Sequence, residues 1–473
     1  MTEVDSDRSL NDELPEGWAR SGLSNLLEVQ YGKSLPERSR RPGKIPVYGS
    51  NGVVGFHQAA LTKGPTIVIG RKGSVGAVHK SDGPCWPIDT TYFVDDFGPL
   101  DPLFVMHVLR SLDLPRLDTS TAVPGISRDD INRQDLAIPP VAEQRRIVAT
   151  AEKLVARVEA ARQHLEKVPA IINRFREAVL SAACQGRLTG DWRRAQSNEP
   201  HHLTERIREA RNHRGLRTPA NPTSDFELAV PLEWPIVSAD LLMSRITSGS
   251  RGWKRYYSTN GWATFVMAQN IRPLHFDRTF GQGVNPPRQD PETVRTRIER
   301  EDLLVTIVGA NTGDACRVPA RVDNHFVCQS VALLRPLDSS ISPYLELWFN
   351  SPDHGRLQYL TWAYGEGRPH LSFDHLRQMA VALPPIEEQR EIVRRVRGLL
   401  AIASAIECRT RTADALTGRV MEAILGKAFR GQLVLTEAEL ARQEGRNYEP
   451  AAALIKRFLT SSDPAPVPPL PST

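Results

Sequence analysis

The sequence predicts two α/β (α+β) domains joined by two long helices that pair as an antiparallel coiled coil, arranged as a pseudo-twofold internal repeat. Three observations predict it. A stretch of the chain recurs at a fixed offset, each copy carries a heptad seam, and the regions before the copies hold short β-branched runs punctuated by glycine.

The chain carries an internal repeat. Aligned without a gap, residues 139–188 and 384–433 are identical at 18 of 50 positions, at an offset of 245. The matches cluster at both ends. PPVAEQRRIV from Pro139 stands against PPIEEQREIV from Pro384, and EAVLSAACQGRL from Glu177 against EAILGKAFRGQL from Glu422. The same offset pairs Pro124, Ser127 and Asp129 with Pro369, Ser372 and Asp374. Further upstream, at an offset of 216, Pro15 and Trp18 pair with Pro231 and Trp234. The helical segments still match while the regions before them have drifted apart, a pattern that suggests one scaffold carrying two different readers.

Each repeated segment reads as a helix. Ile147, Ala151, Leu154, Val158, Ala161, Leu165, Val168, Ile172, Phe175, Val179 and Ala182 follow alternating steps of four and three, an a/d seam. Pro139 and Pro140 block helix before it and Gly186 is a natural stop. About 40 residues at 1.5 Å each make a rod of roughly 60 Å. Pro169 predicts a bend or break near Lys167–Pro169, since an interior proline costs about 3 kcal/mol. The second seam runs through Ile392, Val396, Leu399, Ala403 and Ile406, then Thr410, Ala413, Thr417, Val420 and Ile424. An apolar stripe of this length needs cover, so the two helices are expected to pack on each other. The alternative is that each packs on its own globular domain.

The divergent regions read as mixed α/β. Strands are expected at Thr66–Gly70, Ala77–His79 and Thr91–Val94, and LLVTIVGANTGDACRV takes the place of IGRKGSVGAV in the second region. Each region opens with a basic stretch: Lys33, Arg38, Arg40, Arg41 and Lys44 in the first, Arg251, Lys254 and Arg255 in the second, interleaved with Trp253, Tyr256 and Tyr257. Arg and Lys on loops suit phosphate contacts, Arg, Asn and Gln read base edges, and aromatics pack on sugars or bases. Candidate DNA contacts are these residues together with Asn51, Arg71 and Lys72 in the first region and Gln269, Asn270, Asn311 and Arg368 in the second. The competing reading of any one cluster is a solvated surface.

The bulk numbers fit a nucleic-acid binder without demanding one: 473 residues, 24% charged, net charge +5. No apolar run reaches membrane-spanning length, and the acidic start MTEVDSDRSLNDELPEGW is not a signal peptide. The cysteines Cys85, Cys184, Cys316, Cys328 and Cys408 are scattered, which signals neither zinc nor a disulfide framework and fits a reducing cytoplasm. Catalytic signatures are missing. GRKGSVG lacks phosphate-loop spacing, as does the GKS at Gly32. VNPPRQD carries Arg288 where an adenine methyltransferase places a stacking aromatic, and reads as a proline-rich turn. Isolated histidines such as His79, His164 and His370 read as surface or packing residues.

With these motifs the chain resembles the specificity subunits of type I restriction-modification systems along nearly all its length. The resemblance rests on PPVAEQRRIV and PPIEEQREIV, on AACQGRL and KAFRGQL, on VPGISRDDI and PHLSFDHL, and on YGSNGVVG and IGRKGSVGAV. It implies target-recognition domains at 1–138 and 230–383, coiled-coil helices at 139–190 and 384–434, a docking helix and linker at 191–229, and a docking helix with a proline-rich tail at 435–473. It also implies a non-catalytic chain that reads a split site in double-stranded DNA, with the helices setting the spacer. Two modification subunits would bring S-adenosylmethionine, and restriction subunits ATP and Mg2+; this chain would bind no cofactor. Gln144, Arg145, Gln389 and Arg390 are candidate partner contacts, with helix initiation as their alternative role. Two other functions stay open: a specificity subunit of a methylation-only or phage-defence methylase, and a coiled-coil scaffold that never touches DNA.

Overall fold

The computed structural model describes residues 14–118, 124–196, 202–249, 251–318, 322–365 and 369–461. The chain divides into two compact units, one of residues 1–166 with 412–473 and the other of residues 167–411.

In the first unit the strands are β1 (Ala19–Gly22), β2 (Gln30–Tyr31), β3 (Ile45–Gly49), β4 (Gly52–His57), β5 (Thr66–Gly70), β6 (Val78–Ser81), β7 (Trp86–Pro87), β8 (Thr91–Val94) and β9 (Asp135–Ile138). They form a four-stranded sheet ordered β2-β8-β5-β6, a three-stranded sheet ordered β4-β3-β7 and the pair β1-β9. TIVIG in β5 is buried throughout, as a central strand covered on both faces must be. The strand expected at Ala77–His79 begins and ends later, because Gly76, at φ +73°, turns the chain and donates its N–H to Gly70.

The second unit repeats this plan with different residues. Its strands are β10 (Ile236–Ser238), β11 (Met243–Ser248), β12 (Ala263–Val266), β13 (Ile271–Arg272), β14 (His275–Phe276), β15 (Gln282–Val284), β16 (Leu303–Thr306), β17 (Ala315–Arg317), β18 (His325–Val327), β19 (Val331–Pro336) and β20 (Ala380–Ala382). The sheets are β11-β19-β16-β17, β15-β12-β18 and β10-β20, with β13-β14 added. In both three-stranded sheets the central strand pairs antiparallel on one side and parallel on the other. The duplication thus extends through regions whose sequences no longer align.

The first repeat is two helices, Val141–Leu165 and Val168–Cys184. The expected interruption is there and is mild: Glu166 and Lys167 keep right-handed backbone. Pro169 sits in the first turn of the new helix, where a missing N–H leaves no bond unmade. The second repeat, with Asp414 at the matching position, is one unbroken helix, Ile386–Ala428. Its seam threonines fold their hydroxyls back onto the helix, Thr410 donating to Ile406 O (2.9 Å) and Thr417 to Asp414 O (2.6 Å).

The two segments run antiparallel. In the first unit Ile147 clusters with Ala428, and Arg162 Nε lies 3.9 Å from Asp414. In the second unit Val179, Leu180 and Ala183 pack with Ile392, Val393 and Val396, while Arg176 bridges Glu407 at 2.8 Å. The seam is deepest at its ends. Toward the middle Phe175, Ile406 and Val420 stay exposed, since two helices alone cannot cover a stripe on all sides. The helices expected to dock partners are packed into their own units: Leu203 and Ile207 join the second unit's core, and Ala451 and Ile455 the first unit's. Residues 215–226, within the expected linker, are tied down, with Ala220 N–H on Asp240 (3.0 Å) and Phe226 against Trp362. The last residues of the proline-rich tail, 462–473, lie outside the described residues.

Candidate nucleic-acid interface

The motif PPxxEQ fastens each domain to its helix. The tryptophan that begins each domain donates its indole N–H to the motif's buried glutamate, Trp18 to Glu143 at 2.8 Å and Trp234 to Glu388 at 3.1 Å. The following glutamine turns back on the first proline's carbonyl, Gln144 to Pro139 at 2.9 Å and Gln389 to Pro384 at 2.8 Å. These contacts correct part of the sequence reading. Gln144 is buried with both amide groups used, so it is not a partner contact; Gln389 is buried as well, but it lines a groove and its Oε1 has no partner among the described residues. Arg145 and Arg390 are exposed.

The motif PGIS has an equally physical cause. Ser127 Oγ accepts the Asp130 N–H and Ser372 Oγ the His375 N–H, each capping a short helix. The preceding residue plugs the core and pairs with a hairpin loop: Ile126 N–H donates to Arg71 O at 3.1 Å, and Leu371 N–H to Ile307 O at 2.9 Å. The loop Arg71–Ala77 and its counterpart Ile307–Asp314 are therefore held by the same device.

In the first unit, three of the sequence-predicted segments converge on residues 86–90. Lys33 N–H donates to Pro87 O and the Trp86 indole to Lys33 O. Ser50, beside Asn51, donates to Thr90 O at 2.6 Å. The N–H groups of Arg71 and Lys72 both reach Thr90 O. Lys33, Asn51 and Lys72 are exposed there. The Arg71 guanidinium lies 5.2 Å from the Tyr31 ring, and Arg128, which the sequence reading passed over, lies over the same ring at 5.2 Å. Arg71, Lys72, Arg128 and Tyr31 line a cleft with the PGIS backbone. Arg128's only signal in the sequence was its place directly after the PGIS serine. Of the long basic loop, Arg38, Arg41 and Lys44 are exposed. Arg40 instead secures the loop, donating to Val54 O (2.8 Å) and Leu35 O (3.3 Å).

In the second unit the basic stretch occupies the same connection, from the outer strand β11 to the central strand β12, that Lys33–Lys44 fills from β2 to β3. Lys254 and Arg255 are exposed, and Arg255 stacks on Tyr256 at 4.7 Å. Tyr257 bridges to Val284 on the edge strand β15 and is exposed. VNPPRQD is a turn that ends in a helix cap by Asp290, and its Arg288 lies over Trp262 at 4.5 Å. Two expectations fail. Trp253 is a core residue stacked on Phe265 at 5.0 Å. Asn270 is buried with every amide atom used, donating to Asp277 O and Phe280 O and accepting from Met267 N–H, so it has nothing left to read a base. Gln269 is exposed and Asn311 half-buried in its loop. Arg368 lies outside the described residues, as does the side chain of Arg251.

Electrostatics separates the two fastening nodes. Burial, opposed by hydrogen bonds from the Glu437 amide and Trp18, pushes the Glu143 carboxyl above its ordinary range. Burial also raises Glu437, yet hydrogen bonds from Arg146 and Arg446 outweigh it and hold that carboxyl low. Glu388 is met directly by a cation, Arg193, at 2.7 Å. Among the described residues no group of His, Cys, Asp and Glu is arranged to hold a metal, and no helix is long and apolar enough to cross a membrane.

Residues 15–170 match the family model of the type I restriction modification DNA specificity domain. The chain is 28% identical over 325 residues to the type I restriction enzyme EcoBI specificity subunit of Escherichia coli, covering 67% of this chain and 62%, under two thirds, of that protein. It is 27% identical over 460 residues to the EcoKI specificity subunit of Escherichia coli K12, covering 89% of this chain and 90% of that one. The HsdS subunit from Thermoanaerobacter tengcongensis, known from its crystal structure, shares the fold with a TM-score of 0.52 at 17% identity, over 89% of this chain and 98% of that one.

Proposed function

We propose that this chain is a specificity subunit of a type I restriction-modification system and that each domain reads one part of a split, asymmetric DNA site, a reading supported by the matching family model and relatives. The chain supplies recognition, and the chemistry belongs to its partners. The carrying observation is topological: an exposed basic connection occupies the same place in both units although the surrounding sequences have diverged. Lys33, Arg38, Arg41, Lys44, Asn51, Arg71, Lys72 and Arg128 serve one half-site. Lys254, Arg255, Tyr256, Tyr257, Gln269, Arg288 and Asn311 serve the other. The cations hold phosphates, while Asn and Gln amides and the arginine forks meet base edges. The paired helices fix the spacer. Their exposed apolar residues, among them Ile171, Phe175, Ile402, Leu416 and Val420, support the docking of modification subunits carrying S-adenosylmethionine, to which ATP- and Mg2+-dependent restriction subunits add.

Long-read methylation sequencing with and without the gene tests this reading. A bipartite adenine-methylated motif that vanishes with the gene supports it. The same experiment with Arg38 and Arg41 replaced by alanine should degrade one half of the motif, and with Lys254 and Arg255 replaced, the other half. Equal loss of both halves in each variant refutes independent readers.

A further inference from the structure

The two helix starts are built alike but are not satisfied alike. In the first unit Gln144 Oε1 accepts the Asp101 N–H at 2.9 Å. In the second unit the matching atom, Gln389 Oε1, is buried and has no hydrogen-bond partner among the described residues. The Ser342 hydroxyl, one residue before Pro343, is also buried and without a partner among the described residues. A buried acceptor without a donor costs about 1–3 kcal/mol, so such an atom is expected to find a donor in the working assembly.

Gln389 lines a groove along the second repeat helix that continues into a second one through Pro343, Val393 and Arg397. The two measure 520 and 620 Å³. Their floor is apolar, from Tyr344, Leu347, Val393, Val396 and Leu400. Their walls are cationic, from Arg278, Arg317, Arg390, Arg394 and Arg397, against Asp277 and Glu346. Glu346 is already bridged by Arg317. Arg390 pairs with Glu387 on its own helix, an exposed pair that exchanges readily for a better partner, and Arg394, itself exposed, shares Glu391 with Arg395. At the repeat offset Arg394 and Arg397 correspond to Ala149 and Glu152, so the first helix lacks the cationic wall as well as the open acceptor.

We propose that this groove is a docking site, particular to the second unit, for an acidic extended segment of a modification subunit. The segment supplies a backbone N–H to Gln389, as Asp101 supplies one to Gln144, and carboxylates to Arg394 and Arg397. A DNA backbone fits less well, because phosphate brings neither an N–H donor nor an apolar surface for the floor. The inference rests on the partner reading above and deepens it, since it makes the two partner sites unequal.

The test uses the full chain co-expressed with its modification subunit, wild type against R394A/R397A and R397E, followed by native mass spectrometry and sedimentation across a concentration series. Both variants alter exposed side chains, and equal thermal transitions of the isolated chains show that the fold is kept. The expected result is that the variants hold one modification subunit firmly while affinity for the other drops at least tenfold, with DNA affinity of the free chain changed less than twofold. Two copies bound at wild-type affinity overturn the inference while leaving the specificity reading intact. Lost DNA affinity with partner binding unchanged overturns it in favour of a phosphate contact. A wild-type chain that binds no modification subunit removes the partner reading itself, and the inference with it.

Discussion

Replacing Glu388 with glutamine removes one charge from a buried node and changes nothing in its size. Its carboxylate accepts from Thr189 Oγ1 at 2.7 Å, from Arg193 Nε and Nη2 at 2.9 and 2.7 Å, and from the Trp234 indole at 3.1 Å. An amide keeps one oxygen for Arg193 and turns its NH2 toward a donor, leaving the indole or the hydroxyl unpaired at about 1–3 kcal/mol. The Arg193 charge, only a quarter exposed, loses its counterion, and breaking a buried pair costs about 3–5 kcal/mol. The two costs overlap, so E388Q should lose about 3–5 kcal/mol from the second unit. For a unit of this size that lowers its transition by roughly 6–20 °C. E143Q should cost less, because among the described residues Glu143 is met by Trp18 and the Glu437 amide and by no cation directly. Calorimetry gives the transitions, and hydrogen exchange assigns them, with residues 386–396 deprotected in E388Q and residues 141–151 in E143Q. If E388Q leaves the second unit unchanged, or the two variants cost the same, Arg193 does not depend on the Glu388 charge.

Other outcomes follow from single contacts. Because burial raises the Glu143 carboxyl above its ordinary 4.5, its contribution is present below that pH and lost as pH rises through the folded value. The first unit of wild type should therefore lose stability relative to E143Q as pH rises from about 4 to 7, and a flat difference would refute this. Asp191 and Glu391 are both held near pH 2 by hydrogen bonds from arginines, Arg395 on Asp191, and Arg394 and Arg395 on Glu391. That depressed-pKa contribution is present above the ordinary range and fades as pH falls toward 2, and because Asp191 is exposed, salt should shrink its share in an acid titration. W253A should destabilise the second unit by about 3–5 kcal/mol, seen as a lowered calorimetric transition, because the indole is core and not a DNA contact. In G431A the new Cβ would lie 2.5 Å from Pro15 at φ +68°, costing about 1–2 kcal/mol in backbone conformation alone by urea titration.

The duplication, the helices, the break before Pro169 and the two basic connections were legible because each is written in local terms. Spacing of apolar residues, a proline and a repeat offset need no knowledge of distant partners. β5 and β8 were legible for the same reason, as short β-branched runs between turns. What failed was burial. Trp253 and Asn270 looked like contacts because aromatics and amides interleave with arginines in both surfaces and cores, and only their neighbours distinguish the cases. Arg40 looked like Arg41 for the same reason, although one is spent on a carbonyl.

By itself the sequence determined that the chain is a doubled scaffold with two long helices and two basic stretches, since repeat and periodicity are properties of order along the chain. The tertiary structure alone decided that strands with unrelated sequences share one topology, because pairing depends on alternation and register rather than on residue identity. It also decided that Glu143 and Glu388 are fasteners bonded to tryptophans 125 and 154 residues away. A hydrogen bond of that separation exists only once the domain has closed on its helix, and no local pattern could have announced it.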